Sequence, residues 1–204
     1  MAYAFTIDLE KCVGCHACST SCKSANGTPP GVTRSRVVRT TEGTYPNVKR
    51  VVTPMLCMMC EHPSCVVACP IDGATYRRID DGITVIDKEL CDGCNLCVEA
   101  CPYDARYAID NPDGYFGFQL NEYEEKAYVN KAPGSVDKCD FCLSRSDDGE
   151  TPDPTCVRAC VTKARVFGLK EDLEGEIAAR SGQQLMPEQG TNPRVIYLPK
   201  IEKQ

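Results

Sequence analysis

Every cysteine in this chain belongs to one of four groups of four: Cys12, Cys15, Cys18 and Cys22; Cys57, Cys60, Cys65 and Cys69; Cys91, Cys94, Cys97 and Cys101; Cys139, Cys142, Cys156 and Cys160. The first and third read C-x2-C-x2-C-x3-C, the second C-x2-C-x4-C-x3-C and the fourth C-x2-C-x13-C-x3-C. Three thiolates two residues apart can wrap three iron corners of a cubane from one tight loop. The fourth Cys leaves that loop on a short helix, and in two-cluster proteins with this spacing it ligates the neighbouring cluster. The chemistry predicted is therefore one-electron transfer at 4Fe–4S clusters.

Three other uses of cysteine fit worse. A disulfide scaffold belongs to short secreted chains, and regular triplets are not its habit. Zinc takes paired C-x-x-C arms, usually with a longer stretch between them. Redox-active C-x-x-C motifs would occupy two cysteines each and leave the others idle. Pro70 and Pro102, with fixed φ and no N–H, follow Cys69 and Cys101 and push them out of the helical region. Lys23 and Val161 stand at the corresponding places after Cys22 and Cys160.

Composition agrees with cluster binding. Aromatic residues make up 7% of 204 residues and Trp is absent, which is thin for a self-sufficient core; metal clusters can supply the missing cross-links. The formal charge is −6 with thiols counted as neutral. Four oxidised clusters with their thiolates add about −8. So acidic an assembly is a poor partner for nucleic acid. No stretch approaches the roughly 18 apolar residues of a membrane span. Residues 1–11 alternate like a strand, without a charged region leading into an apolar one. The expectation is a chain that neither crosses a membrane nor exports itself by a visible signal.

The elements that must position the cysteines show as an internal repeat. Residues 5–12 align with residues 84–91, and the match runs on through Gly14 and Gly93 to Cys22 and Cys101. Each copy reads as a strand, a cluster-wrapping loop and one helical turn. Gly14 and Gly93 sit where the backbone must curl tightly past a cluster. Ala74-Thr75-Tyr76, the Asp80-Asp81-Gly82 turn and residues 83–86 predict a hairpin. Residues 164–168 predict a strand after the fourth run.

Four cysteine groups in this order, the last with a long internal gap, resemble the iron–sulfur electron-transfer subunits of the dimethyl sulfoxide reductase superfamily. Polysulfide/thiosulfate reductase and dimethyl sulfoxide reductase small subunits are the nearest in kind. The similarity covers nearly the whole chain: residues 8–22, Glu42-Gly43-Thr44-Tyr45-Pro46, residues 57–69, residues 91–106 with Cys101-Pro102-Tyr103-Asp104-Ala105-Arg106, Lys138-Cys139-Asp140-Phe141-Cys142, and Pro187-Glu188-Gln189-Gly190-Thr191.

The resemblance implies an α+β fold of two bacterial-ferredoxin-like halves, one inserted in the other, around four clusters. The outer half is residues 1–50 with 135–204, the inserted half 51–110, and 111–134 a connecting loop. The first run then pairs with the fourth and the second with the third. One cluster takes Cys12, Cys15, Cys18 and Cys160, and another Cys139, Cys142, Cys156 and Cys22. A third takes Cys57, Cys60, Cys65 and Cys101, and the last Cys91, Cys94, Cys97 and Cys69. Related nitrate reductase subunits replace one ligand with Trp and hold a three-iron cluster; here all sixteen positions are Cys, so four cubanes are expected.

No acid/base pair, nucleophile constellation or phosphate-binding loop stands out, so the expected role is conduction without catalysis. His16 and His62 are expected to pack beside clusters. Met55, Met58 and Met59 are expected to shield Cys57. For Lys23, a charge that raises a cluster potential and a solvated lysine are equal alternatives. By resemblance, the substrate chemistry belongs to a separate large subunit with a molybdenum or tungsten bis-pterin guanine dinucleotide cofactor. The other partner is a quinol-linked membrane-anchor subunit or a soluble carrier. A stand-alone polyferredoxin serving several enzymes is the alternative, and an enzyme in its own right a weaker one. The cellular side stays open between cytoplasm and periplasm, because such subunits are exported in company with a catalytic partner that carries the signal. The aromatic–acidic loop from Asn111 to Asp137, with Tyr115, Phe116, Phe118, Tyr123 and Tyr128, is either a partner contact or a lid over the chain's own cluster. Residues 194–198 read as a strand with no local partner, which either closes the outer half or lies on the large subunit.

Overall fold

The structure, a computed structural model, describes residues 2–110, 113–117, 119–129, 134–146, 148 and 151–199. In chain order the elements are β1 (Tyr3–Asp8), α1 (Ala17–Asn26), β2 (Ser35–Glu42), β3 (Lys49–Leu56), α2 (Ser64–Val67), β4 (Thr75–Arg77), β5 (Thr84–Ile86), α3 (Leu96–Glu99), β6 (Arg106–Ile109), α4 (Glu122–Ala127), β7 (Ser135–Lys138), α5 (Thr155–Arg158), β8 (Arg165–Leu169), α6 (Lys170–Ala179), β9 (Gln183–Gln184) and β10 (Val195–Leu198). The fold is mixed α and β. Among the described residues no helix is long and apolar enough to cross a membrane.

The strands follow one rule. Each strand that leaves a cysteine run pairs antiparallel with the strand that enters the next run. β2, after Cys22, pairs with β3, before Cys57; β4, after Cys69, with β5, before Cys91; β6, after Cys101, with β7, before Cys139. β8, after Cys160, closes the series by pairing with β1, before Cys12, with Phe5 opposite Phe167. The β4–β5 ladder, with Tyr76 opposite Val85, is the predicted hairpin.

The C-terminal strand does not lie free. β10 pairs parallel with β1, Phe5 opposite Val195, and antiparallel with β9, giving the order β8-β1-β10-β9. It closes the sheet from within, so it is not an unpaired edge on offer to a partner. The same closure corrects the expected alternation of the first strand. With neighbours on both edges and α6 packed against it, β1 is buried at every residue from Ala4 to Asp8, including the polar Thr6 and Asp8.

A single buried apolar cluster runs across the sheets, from Phe5, Ile7 and Val195 to Met58, Met59, Ile83 and Tyr103, and takes in Cys18, Cys139 and Cys156. Phe5, Phe141 and Phe167 form its aromatic centre, with ring centroids 5.0–5.3 Å apart. Polar side chains, buried or half-buried, then tie segments that the sequence separates. The Arg194 guanidinium donates to the carbonyls of Met59, Tyr3 and Asp81. Arg36 holds the turn after Cys101 through the carbonyls of Tyr103 and Asp104, both at 2.6 Å.

Of the aromatic–acidic loop, Asn111, Pro112, Phe118 and residues 130–133 lie outside the described residues. The described part is anchored locally. Asn121 and Glu124 form a capping box on α4, and buried Glu124 also accepts from the Tyr115 N–H. α4 sits against the end of α1 where Gly27 has φ +52°; a Cβ there would stand 2.6 Å from the Ala127 carbonyl. The inner face packs against the end of α1, while Phe116 and Val129 are exposed.

Arg34 makes the most connected buried ion pair. It clasps Asp137 through Nε (3.0 Å) and Nη2 (2.6 Å) and reaches Asp140 at 3.3 Å. Burial alone would pull the Arg34 pKa down; the Asp137 and Asp140 carboxylates reverse this and hold it above its ordinary value. Replacing Arg34 with Met takes away the closest cation of Asp137 and leaves Lys88 at 3.5 Å. We predict a loss of about 3 kcal/mol of stability, the cost of a buried charge stripped of its main partner, read by anaerobic denaturant unfolding of the iron-loaded protein.

Candidate metal centres

The loops curl as the chemistry of a wrapped cluster demands. The residue before the second Cys has positive φ in all four runs: Gly14 (68°), Met59 (46°), Gly93 (73°) and Phe141 (57°). Glycine supplies this freely; a side chain there is strained. Met59 and Phe141 are held by burial, at 0% and 1% exposure. The loops are also fixed where they begin. Asp8 Oδ1 accepts from the N–H groups of Glu10 (2.9 Å) and Lys11 (3.2 Å), and Asp87 Oδ1 does the same with Glu89 (2.9 Å) and Leu90 (3.2 Å). The carbonyl of each Asp accepts from the first Cys of its run at 3.1 Å. These two Asx turns are the physical content of the repeat.

The helices that follow carry the third cysteine (Cys18 in α1, Cys65 in α2, Cys97 in α3, Cys156 in α5). In three runs they end two residues before the fourth. α1 runs on for 10 residues and includes Cys22, longer than the single turn expected.

The sulfurs converge across runs. One enclosed, mainly apolar cavity is lined by Cys69 together with Cys91, Cys94 and Cys97, and another by Cys57, Cys60 and Cys65 together with Cys101. Cys22 lies with Cys139, Cys142 and Cys156, all buried; Asn26 Nδ2 reaches Cys22 Sγ at 3.4 Å and Cys142 Sγ at 3.9 Å. Cys12 neighbours Cys18 and Cys160. None of the sixteen is in a disulfide, and only Cys15 and Cys94 are exposed.

Burial pushes thiols up, and neighbouring thiolates push them further: to about 12 at Cys22 and Cys60, and well above the ordinary value at Cys139. Cys160 moves the other way. Burial is outweighed there by backbone N–H groups, Ala164 donating to its sulfur at 3.2 Å, and its pKa is lowered. Among the described residues no three His, Cys, Asp or Glu converge closely enough for a single metal ion. Tetrahedral zinc would require sulfurs about 3.8 Å apart, given bonds of about 2.3 Å. Four-sulfur cavities with apolar walls and N–H donors fit a larger, polynuclear group.

The remaining expected residues fall as follows. Met58 and Met59 are buried beside Cys57, with Met55 partly buried against the same core. His16 adopts φ 64° ahead of α1, and the His62 N–H donates to the Thr191 carbonyl. The Lys23 ammonium is not free in solvent, and its nearest charged neighbour is the sulfur of Cys22. The ammonium donates to the carbonyls of Val32 (2.8 Å) and Pro29 (3.0 Å), under the Tyr115 ring. Arg106 and Arg165, outside the cysteine pattern, are buried against the sulfurs. Their sequence signal is an Ala-Arg pair four and five residues after Cys101 and Cys160.

Two models of the 4Fe-4S dicluster domain match the chain, over residues 48–114 and 83–161. Loops, sulfurs and matches together define a ferredoxin-type protein of 4Fe–4S clusters. The chain is 38% identical to a subunit of the sulfite dehydrogenase of Allochromatium vinosum, over 97% of this chain and 82% of that protein. It is 39% identical to a subunit of the selenate reductase of Mesobacillus selenatarsenatis, over 96% and 71%. It is 34% identical to the arsenate respiratory reductase iron–sulfur subunit ArrB of a Shewanella species, over 97% and 96%. The chain belongs to the iron–sulfur subunits of the dimethyl sulfoxide reductase superfamily. It conducts electrons through 4Fe–4S clusters and is not the catalytic subunit.

Asp8 differs from Asp87 in being buried and in its cations: Arg180 Nη1 binds Asp8 Oδ2 at 3.0 Å and Lys11 stands at 3.4 Å. Burial would raise the Asp8 pKa, but Arg180 and the two N–H groups hold it below its ordinary value. A depressed carboxylate contributes fully above its unfolded pKa, about 3.9, and loses that contribution as pH falls through the folded value. Asp8→Ala should therefore cost about 2 kcal/mol, more than Asp87→Ala, and cost the same at pH 6 and pH 8, measured by denaturant unfolding.

Proposed function

We propose that the chain is a four-cluster wire, an outer half of residues 1–50 and 135–204 holding an inserted half of residues 51–110. The four ligand sets are Cys12, Cys15, Cys18 and Cys160; Cys22, Cys139, Cys142 and Cys156; Cys57, Cys60, Cys65 and Cys101; and Cys69, Cys91, Cys94 and Cys97. When bound, each 4Fe–4S cluster takes up and gives back one electron, at a potential within about −700 to +450 mV.

The observation that carries the reading is the linear order of the sets. Cys18 neighbours Cys156, Cys139 neighbours Cys57, and Arg106 neighbours both Cys65 and Cys97. The sets thus succeed one another in the order given. The two inner sets expose no cysteine, and each end set exposes one, Cys15 or Cys94. Apolar side chains surround those ends: Val13 and Val161 at one, Leu90 and Leu96 at the other. Buried methionines and aromatic rings keep water from the middle. A chain so built accepts an electron at one end and delivers it at the other.

The relatives named as subunits of a reductase or a dehydrogenase support a separate catalytic subunit as the partner at one end. That partner would carry the molybdenum or tungsten bis-pterin cofactor. A quinol-linked membrane subunit or a soluble carrier would serve the other end.

Anaerobically purified protein should carry about sixteen irons and sixteen acid-labile sulfides per chain. Cys160→Ser should disturb the cluster of Cys12, Cys15 and Cys18 and spare that of Cys139, Cys142 and Cys156. Iron near eight per chain, or spectroscopic loss confined to the cluster nearest in sequence, would sink the crossed four-cluster arrangement.

A further inference from the structure

Two arginines stand where the cluster sets meet. Arg106, five residues after Cys101, opens β6; Arg165, five residues after Cys160, opens β8. Each follows a buried alanine and a residue of positive φ (Asp104, 48°; Lys163, 53°), and each is almost wholly buried, at 3% and 2% exposure. Arg106 lines both enclosed cavities of the inserted half, a wall shared by the two. Arg165 neighbours the sulfurs of Cys12, Cys18 and Cys156, which belong to two different sets.

Buried arginines are ordinarily matched by carboxylates, as Arg34 is by Asp137. These two have sulfur instead: the charged groups around Arg106 are Cys65, Cys97 and Cys57, and around Arg165 chiefly Cys156 and Cys18. Thr75 Oγ1 accepts one Arg106 N–H, from Nη2, at 2.8 Å. Nε and Nη1 of Arg106, and both terminal nitrogens of Arg165, have no well-formed hydrogen bond although shut away from water. Among the sulfurs, those of Cys97 and Cys156 are the nearest acceptors of Arg106 and Arg165; N–H groups left without a full partner in such a place are costly, and what they can serve is an acceptor that fills the cavity. Lys138, the other buried cation nearby, differs in donating to the carbonyls of Thr84 and Cys139.

We infer that Arg106 and Arg165 are potential-setting residues, each a buried cation shared by two adjacent clusters, with N–H groups that serve cluster sulfur. The inference rests on the ligand sets proposed above. An arriving electron adds one negative charge and forms no bond. Arg106 favours that added charge on either side of itself, so it raises the potentials of both clusters of the inserted half together and keeps the step between them small. Charge and hydrogen bonds to sulfur are two of the levers by which proteins set such potentials. Arg165 does the same for the other pair.

The test is an EPR-monitored redox titration of the iron-loaded protein in its native complex. In Arg106→Gln, two of the four potentials should fall, raising the oxidised-to-reduced ratio at fixed poise at least tenfold, or 59 mV for a one-electron couple. The other two should stay, and Arg106→Lys should keep all four. Arg165→Gln should move the complementary two. Unmoved potentials in an Arg106→Gln protein with its full iron overturn the inference, as does an equal shift of all four or a fall as large in Arg106→Lys. Where Arg106→Gln sheds iron, retention of iron and potentials by Arg106→Lys supports the charge role and loss in both overturns it. Failure of the ligand sets shows separately, as a wild-type iron content far from sixteen.

Discussion

Bringing four thiolates together away from water is unfavourable, and this chain does it repeatedly. Desolvation and mutual repulsion raise Cys22, Cys60 and Cys139 far above ordinary thiols. Only iron replaces the protons and makes such a convergence stable, so metal binding and folding are coupled here as in other small metalloproteins. The thin aromatic content and the inclusion of cysteines in the buried core follow from this. What would elsewhere be packed hydrocarbon is here a set of sulfur-lined cavities with apolar walls.

Against that repulsion the polypeptide supplies directionality. Each strand leaving one run is zipped to the strand entering the next, and the last is zipped to the first. Cysteines from distant runs are therefore brought together by short ladders and by the two Asx turns at Asp8 and Asp87. The cations add a second organisation. Arg34 is answered by carboxylates and braces the fold, Arg194 by carbonyls and ties residues 3, 59 and 81 together, while Arg106 and Arg165 are answered by sulfur.

Much of this is legible in the cysteine spacing, because a ligand run dictates its own loop. The glycines at 14 and 93 announce their left-handed turns. Met59 and Phe141 occupy the same conformation silently, since burial rather than intrinsic freedom holds them there. The hairpin after Cys69 shows in its Asp-Asp-Gly turn. The place of residues 195–198 does not show, because a parallel pairing with β1 is made across nearly the whole chain and leaves no local pattern. β1 misleads for a related reason: alternation predicts one wet face, and only tertiary neighbours reveal that it has none. Lys23 is ambiguous in sequence because its acceptors, the carbonyls of Pro29 and Val32, are backbone atoms of a loop with no signature.

The central place of β10 bears on how the molecule is made. β1 leaves the ribosome before either of its neighbours, which lie at residues 165–169 and 195–198. The earliest cysteine loop therefore stays unframed until residue 198 has been added and has emerged. Iron delivered before that moment meets an open, reactive set of thiols at residues 12–18, and orderly insertion there has to wait for the strands that follow the last cysteine.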